Sequence, residues 1–369
     1  MAVARRRQNP PKRSNSFRQI VNKFAPVRST IAVLILLWPG LSAQARERAE
    51  IEDATRLQIF LDRANFGPGK IDGRYGEFTT KALELYRSSN GNAAPGGASP
   101  LPAVAEPPKE TNKGSAKPAP DVSGLDLASI DPVFTSYVVT PDDEKMVGEL
   151  PGDPAAEAKL KWLPYRTIAE AVAERFHCDI DFLEELNPGK TKSLKAGDTV
   201  SVPNVEPFYF SREKEGKSTK GDKDGAKKAQ TAKLKKASED PAAARNLTVS
   251  TKTNMVEVHE GDKIVAAFPV TVGSDETESP IGKWKVEGVT KLPNFRYDKQ
   301  MLKHGERSAN FHLLPPGPNN PVGIMWIGLN KEGIGLHGTE SPDQIGRSAS
   351  HGCVRLANWD IVKLSLIHI

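Results

Sequence analysis

Ile334-Gly335-Leu336-His337-Gly338-Thr339 is followed a short way downstream by Ser350-His351-Gly352-Cys353-Val354-Arg355-Leu356. Ile334 to His337 is a short β-rich run, and Ile324-Met325-Trp326-Ile327-Gly328-Leu329 before it is another. Farther upstream, Leu247-Thr248-Val249, Met255-Val256-Glu257-Val258 and Ile264-Val265-Ala266-Ala267-Phe268 are joined at Thr253-Asn254 and Glu260-Gly261-Asp262, a hairpin pattern. Pro269-Val270-Thr271-Val272-Gly273 and Gly282-Lys283-Trp284-Lys285-Val286 continue it. Many short strands with Gly/Pro turns predict a mainly β domain, sandwich or barrel-like, over residues 245–369.

The two quoted segments also carry the chemistry. A thiolate is the efficient sulfur nucleophile towards carbonyls, and Cys353 stands among small and imidazole residues. Gly352 lets backbone amides approach a substrate closely, and a bend there would aim successive N–H groups at one spot, an oxyanion hole. His337 and His351 both lie within reach as bases. Spacing alone does not choose between them, although a bend at Gly352 would turn the His351 ring away. His177, His259, His304, His312 and His368 sit in no such setting. One Cys and two His fall short of a tetrahedral zinc set, so no metal is expected. A buried structural role is the commoner fate of a lone cysteine, but the polar Ser-His-Gly flank argues against it for Cys353. Cys178, the other of two cysteines, reads as a small buried apolar residue rather than a disulfide partner.

Composition narrows the setting. The 369 residues suggest two or three domains, and Gly 30 and Pro 29 predict long linkers. Lys+Arg 51 against Asp+Glu 46 leaves a mild +5, compatible with an anionic polymer surface and no argument for nucleic acid. Residues 1–45 read as a signal peptide. Arg5-Arg6-Arg7, Lys12, Arg13, Arg18, Lys23 and Arg28 precede the apolar run Ile31 to Leu41, and Ala43-Gln44-Ala45 is a small-x-small cleavage site. The expected mature start is Arg46, after general secretion, with an uncleaved membrane anchor as the alternative.

Residues 47–91 place Leu57, Phe60, Leu61 and Ala64 on one helical face, a stop at Asn65-Phe66-Gly67-Pro68-Gly69, and a second stripe at Ala82, Leu85 and Tyr86. Residues 92–131 are Pro/Ala/Gly/Lys-rich and read as a disordered linker. In 133–207, Thr167 with Glu170 forms a capping box, a second helix spans Asp179 to Leu186, and Tyr137-Val138-Val139 and Thr199-Val200-Ser201-Val202 are strands. Residues 208–244 read as a charged, Lys-rich linker.

Three resemblances follow. Leu57-Gln58, Gly69-Lys70-Ile71-Asp72-Gly73-Arg74-Tyr75-Gly76, Thr79 and Ala82 resemble the small three-helix peptidoglycan-binding module. Asn187-Pro188 and Gly197-Asp198-Thr199-Val200-Ser201-Val202-Pro203 resemble the LysM glycan-binding module, with an insertion from Asp142 to Pro164. Asn246 to Lys363 resembles the L,D-transpeptidase catalytic domain, the YkuD fold. The matching stretches are Thr271-Val272-Gly273, Ser279-Pro280-Ile281-Gly282, Leu314 to Gly323, Trp326 to Leu329, His337-Gly338-Thr339, Ile345-Gly346 and the run around Cys353. The implied fold class is multidomain: a mainly β catalytic domain preceded by a small all-α module and a small α+β module.

The last resemblance implies Cys353 as nucleophile and His337 as general base and proton donor, with the Gly338 carbonyl orienting its ring. It implies oxyanion amides around His351, Gly352 and Cys353, support from Ser350 and the His351 side chain, and a substrate-carboxylate or bracing role for Arg355. It implies a cofactor-free acyl transfer between peptidoglycan stem peptides, with a protein lysine (a wall-attached lipoprotein) or water as alternative acceptors. The implied place is the periplasm, with membrane contact only through the signal segment and glycan strands held by the accessory modules. A non-catalytic wall-binding scaffold is the competing reading. The ending Leu364-Ser365-Leu366-Ile367-His368-Ile369 departs from the family's last strand and reads as a truncation.

Overall fold

The structure, a computed structural model, describes residues 39–91, 119–210, 245–273, 278–347, 350 and 352–367. Residues 1–44 form one unit, of which only the opening of the first helix is described, and residues 45–369 form a second. The apolar run of the expected signal peptide thus lies mostly outside the described residues. Among the described residues no helix is long and apolar enough to cross a membrane.

Helices α1 (Pro39–Arg63) and α2 (Glu77–Ser89) pack Leu57 and Leu61 against Ala82, Leu83 and Leu85, with Phe66 between them. Between the helices lies a loop, which begins at the helix stop Asn65-Phe66-Gly67-Pro68-Gly69. Buried Gln58 fixes it, donating to Asp72 Oδ1 at 2.8 Å and accepting from the Gly73 N–H at 3.0 Å. The rest of the loop spends its backbone groups on other segments. Gly67 N–H donates to the Ala267 carbonyl at 2.7 Å and Ala267 N–H to that of Asn65 at 3.0 Å. On the other side, Ile71 N–H donates to the His177 carbonyl at 2.8 Å and Asp179 N–H to that of Ile71 at 2.9 Å.

Residues 119–131, expected within the linker, pack instead. Ile130 is buried, and its carbonyl accepts from the Arg56 guanidinium. Then come β1 (Phe134–Val138), α3 (Pro141–Lys145), α4 (Pro154–Glu157), α5 (Ile168–Arg175), α6 (Ile180–Leu186) and β2 (Thr199–Pro203). β1 and β2 pair antiparallel from Phe134↔Pro203 to Val138↔Thr199, giving the expected strand, helix, helix, strand order. The insertion holds two short capped helices, with Thr140 and Asp153 as N-caps. Thr167 caps α5, but Glu170 reaches back to the Arg166 N–H rather than to that of Thr167. Asn187 is a structural latch: its side chain bonds the Leu183 and Ser201 carbonyls and the Ser201 N–H. Phe208 and Phe210, at the start of the expected charged linker, pack beside Trp162, Tyr165 and Trp359.

The C-terminal part contains β3 (Arg245–Ser250), β4 (Met255–Glu260), β5 (Lys263–Pro269), β6 (Val286–Lys291), β7 (Phe295–Tyr297), α7 (Lys299–His304), β8 (His312–Leu314), β9 (Met325–Leu329), β10 (Gly335–His337), β11 (Val354–Arg355) and α8 (Asn358–Leu366). One sheet runs β3-β4-β5 and another β11-β10-β9-β6, with β7-β8 a separate hairpin. The first two sheets face each other through Val256, Val258, Ala266 and Phe268 on one side and Ile327, Leu336 and Val354 on the other, closed by Ile361 and Leu364 of α8. Met255 and Ala267 point the opposite way, onto α1 and α2. Burial on both faces explains the unbroken apolar run in β5. The Asn65–Gly67 loop covers the free edge of β5, where backbone groups would otherwise lie open. The strand expected at Gly282 to Val286 falls later, at β6. The one expected at Pro269 to Gly273 becomes bridges to Ser350 and Arg355.

At the junction of these segments Asp62 of α1 is buried. His177 Nδ1–H donates to it at 2.9 Å, and Lys363 of α8 pairs with it at 2.9 Å. Burial would raise the Asp62 carboxyl, but His177 and Lys363 together hold it well below the usual range. Nearby Asp360 is pushed up to about 8 by burial. Removing one partner of a buried pair strands the other charge. Lys363→Met is therefore expected to cost about 3 kcal/mol in urea-induced unfolding.

Candidate active site

Alternation along paired strands sorts the site residues. β10 pairs parallel with β11, Leu336 opposite Val354 and His337 opposite Arg355. Leu336 and Val354 both enter the core, so Gly335, His337, Cys353 and Arg355 belong to the opposite face. β9 adds Trp326 to that face, opposite His337. The two rings stack at 5.4 Å with 10° between their planes. Gly335 makes this close packing possible. A Cβ there would meet the Ile327 carbonyl oxygen at 2.5 Å and the Trp326 ring at 2.8 Å.

His337 is 4% exposed, and its Nδ1–H donates to the Gly338 carbonyl at 2.6 Å. This bond fixes the tautomer and leaves Nε2 as the basic nitrogen. Burial lowers the imidazole to about 4, against the Gly338 bond and helped by the charge of Arg355. Cys353 is partly exposed, and its thiol donates to the Gly333 carbonyl at 3.4 Å rather than to the ring. Burial raises this thiol above its ordinary value, opposed by the Gly335 backbone and by Arg355. The resting pair is therefore a neutral thiol and a neutral imidazole.

The turn before the cysteine is built for close approach. Gly352 has φ 101°, in the region that favours glycine. Ser350 Oγ donates to the Cys353 carbonyl across the turn, and Ser350 N–H donates to the Val272 carbonyl at 2.8 Å. Thr271 and Arg355 exchange both backbone bonds at 2.9 Å. Among the described residues no acceptor takes up the Gly352 or Cys353 N–H. Arg355 forms no ion pair among the described residues, and its charge lies near His337, Cys353 and Glu340. His351 lies outside the described residues. Cys178 is buried and free, as expected. Among the described residues no cluster of His, Cys, Asp and Glu is arranged to hold a metal.

A cavity of about 260 Å³ opens elsewhere, between Arg166 and Glu170 on one side and Glu340 and Trp359 on the other. Neither Cys353 nor His337 lines it. Sequence reasoning passed over Trp326 as the partner of His337. Strand alternation counted back from His337 would have found it.

Residues 244–365 match the YkuD family, the L,D-transpeptidase catalytic domain. The C-terminal part of the chain is thus similar to the L,D-transpeptidase catalytic domain. The YkuD protein of Bacillus licheniformis is 29% identical over 121 residues, covering 33% of this chain and 58% of that relative. YkuD of Bacillus subtilis is 23% identical over 197 residues, covering 53% and 85%. The probable L,D-transpeptidase ErfK/SrfK of Escherichia coli is 34% identical over 103 residues, covering 26% and 32%. Among solved structures, the catalytic domain of the E. faecium L,D-transpeptidase is 14% identical, with 34% of this chain and 91% of that one covered at a TM-score of 0.26.

Two outcomes follow from the geometry. Gly335→Ala must displace either β9 or the Trp326 ring, an overpacking expected to lower stability by about 1–3 kcal/mol, read from denaturant unfolding. The His337 ring should stay neutral down to about pH 4 in histidine-selective NMR. An unfolded imidazole takes up its proton near 6.5, so between that pH and about 4 the unfolded chain binds more protons and stability falls as pH falls.

Proposed function

We propose that this protein is an exported L,D-transpeptidase that joins peptidoglycan stem peptides through a thioester on Cys353. The supporting observation is the arrangement on one strand face: a partly exposed thiol, a buried neutral imidazole held by the Gly338 carbonyl, and two N–H groups beside them that no acceptor among the described residues takes up. The carbonyl bond takes the place a carboxylate holds in a Ser-His-Asp triad.

In this reading the Cys353 sulfur attacks the carbonyl between the L-centre of diaminopimelate and the terminal D-Ala. His337 Nε2 accepts the thiol proton as the bond forms, since neither group is charged at rest. The Gly352 and Cys353 N–H groups receive the developing oxyanion. The C–N bond breaks, His337 returns the proton to the departing D-Ala amine, and a thioester remains. An amine of a second stem then attacks, His337 takes its proton, and the thiol is regenerated. Arg355 supplies a cation for a stem carboxylate. A protein lysine in place of the second stem would give a wall-attached lipoprotein, and water would give a carboxypeptidase. Residues 47–91 and 133–207 act as peptidoglycan-contacting segments, and residues 1–45 direct export to the periplasm.

The test is incubation of the protein with tetrapeptide muropeptides and mass analysis of products. Crosslinked dimers are expected; trimmed tripeptides alone would select the carboxypeptidase. Cys353→Ala should form no covalent adduct, and His337→Ala should slow acylation by about 10²–10⁴-fold. An adduct in Cys353→Ala would overturn the assignment.

A further inference from the structure

Asn358, at the start of α8, is fully buried and belongs to none of the chemistry above. Its amide occupies a slot between two glycines: a Cβ on Gly338 or on Gly323 would lie 2.1 Å from Oδ1. That oxygen accepts from the Ile324 N–H at 3.1 Å. The amide nitrogen donates to Glu174 Oε1 at 2.7 Å, with the Pro318 carbonyl farther off at 3.5 Å. Only this orientation sets donor against carboxylate and acceptor against N–H. Glu174 lies on α5, in the LysM-like segment, and is itself buried. Its other oxygen accepts from the Tyr165 hydroxyl. Gly338 is the residue whose carbonyl holds His337 Nδ1–H. A continuous series of contacts therefore runs from Tyr165 and Glu174, through Asn358, to the peptide that orients the His337 ring.

We propose that Glu174 and Asn358 are positioning residues for His337, so that the LysM-like segment is a working part of the catalytic site. The proposal rests on the reading of His337 as the base. Without an acceptor at Glu174, the buried Asn358 amide keeps only its long contact to Pro318 and is left under-satisfied. The amide then leaves the slot, Gly338 gains room to shift, and the carbonyl that fixes His337 shifts with it. A misplacement on the order of 1 Å costs about 10²-fold in rate.

The experiment compares Glu174→Leu, Glu174→Gln and Glu174→Asp in the full chain, each checked for folding by thermal denaturation. Two readouts are taken: the concentration dependence of Cys353 acylation by the carbapenem imipenem, and the His337 imidazole signal in NMR. Glu174→Leu should lower the maximal acylation rate by about 10–100-fold with little change in half-saturating concentration, and should move the His337 signal. Glu174→Gln keeps the acceptor and should restore both. A folded Glu174→Leu protein with unchanged acylation and an unmoved signal would overturn the proposal. Should that variant fail to fold, Glu174→Asp decides: one methylene too short to reach Asn358, it must slow acylation while Glu174→Gln does not. A wild-type chain that no probe acylates would refute the reading of Cys353, while the substrate-free NMR comparison would still judge the positioning role.

Discussion

A single buried carboxylate, Asp62, ties together three stretches of chain that are far apart in sequence. A charge in the interior is tolerable only with partners, and neither partner comes from its own helix. His177 arrives from the end of α5 and Lys363 from α8, so the end of α1 is satisfied only when both segments are in place. His177 also stacks on Trp359 at 5.3 Å, which brings the apolar part of the junction into register with the ionic part. Asp360 shares the neighbourhood without a second negative charge, because burial keeps it protonated near neutral pH. One lysine thus serves one anion, and a repulsive pair of carboxylates is avoided.

The same economy of polar groups governs the site. Alternation in β10 and β11 commits Leu336 and Val354 to the core and leaves His337, Cys353 and Arg355 together on the other face. Burial then suppresses charge on both the thiol and the imidazole, with the Arg355 cation too weak an influence to ionise the sulfur at rest.

The candidate site was legible in sequence because its parts are local. His337 and Cys353 lie on short runs, and Gly352 advertised the turn that its positive φ supplies. Hairpins with polar turns, such as β3-β4-β5, were legible for the same reason. Strand β6 was not: its residues are largely exposed, so no alternation of apolar residues marks it. The docking of the accessory segments was hidden for a different reason. Asp62, His177 and Lys363 look like ordinary surface polar residues until three segments meet. The Asn65–Gly67 stretch reads as a helix stop, and nothing in it names Ala267 as its partner. Residues 119–131 have the composition of a linker, yet Ile130 finds a core to enter.

The loop that borders β5 has a mechanical consequence. By lying along the last strand of a sheet, it bonds the segment between the two N-terminal helices directly to β5. A pull on the N-terminal helices is then passed to the β3-β4-β5 sheet through two backbone hydrogen bonds, Gly67 N–H to Ala267 and Ala267 N–H to Asn65, rather than through side chains that could re-pack.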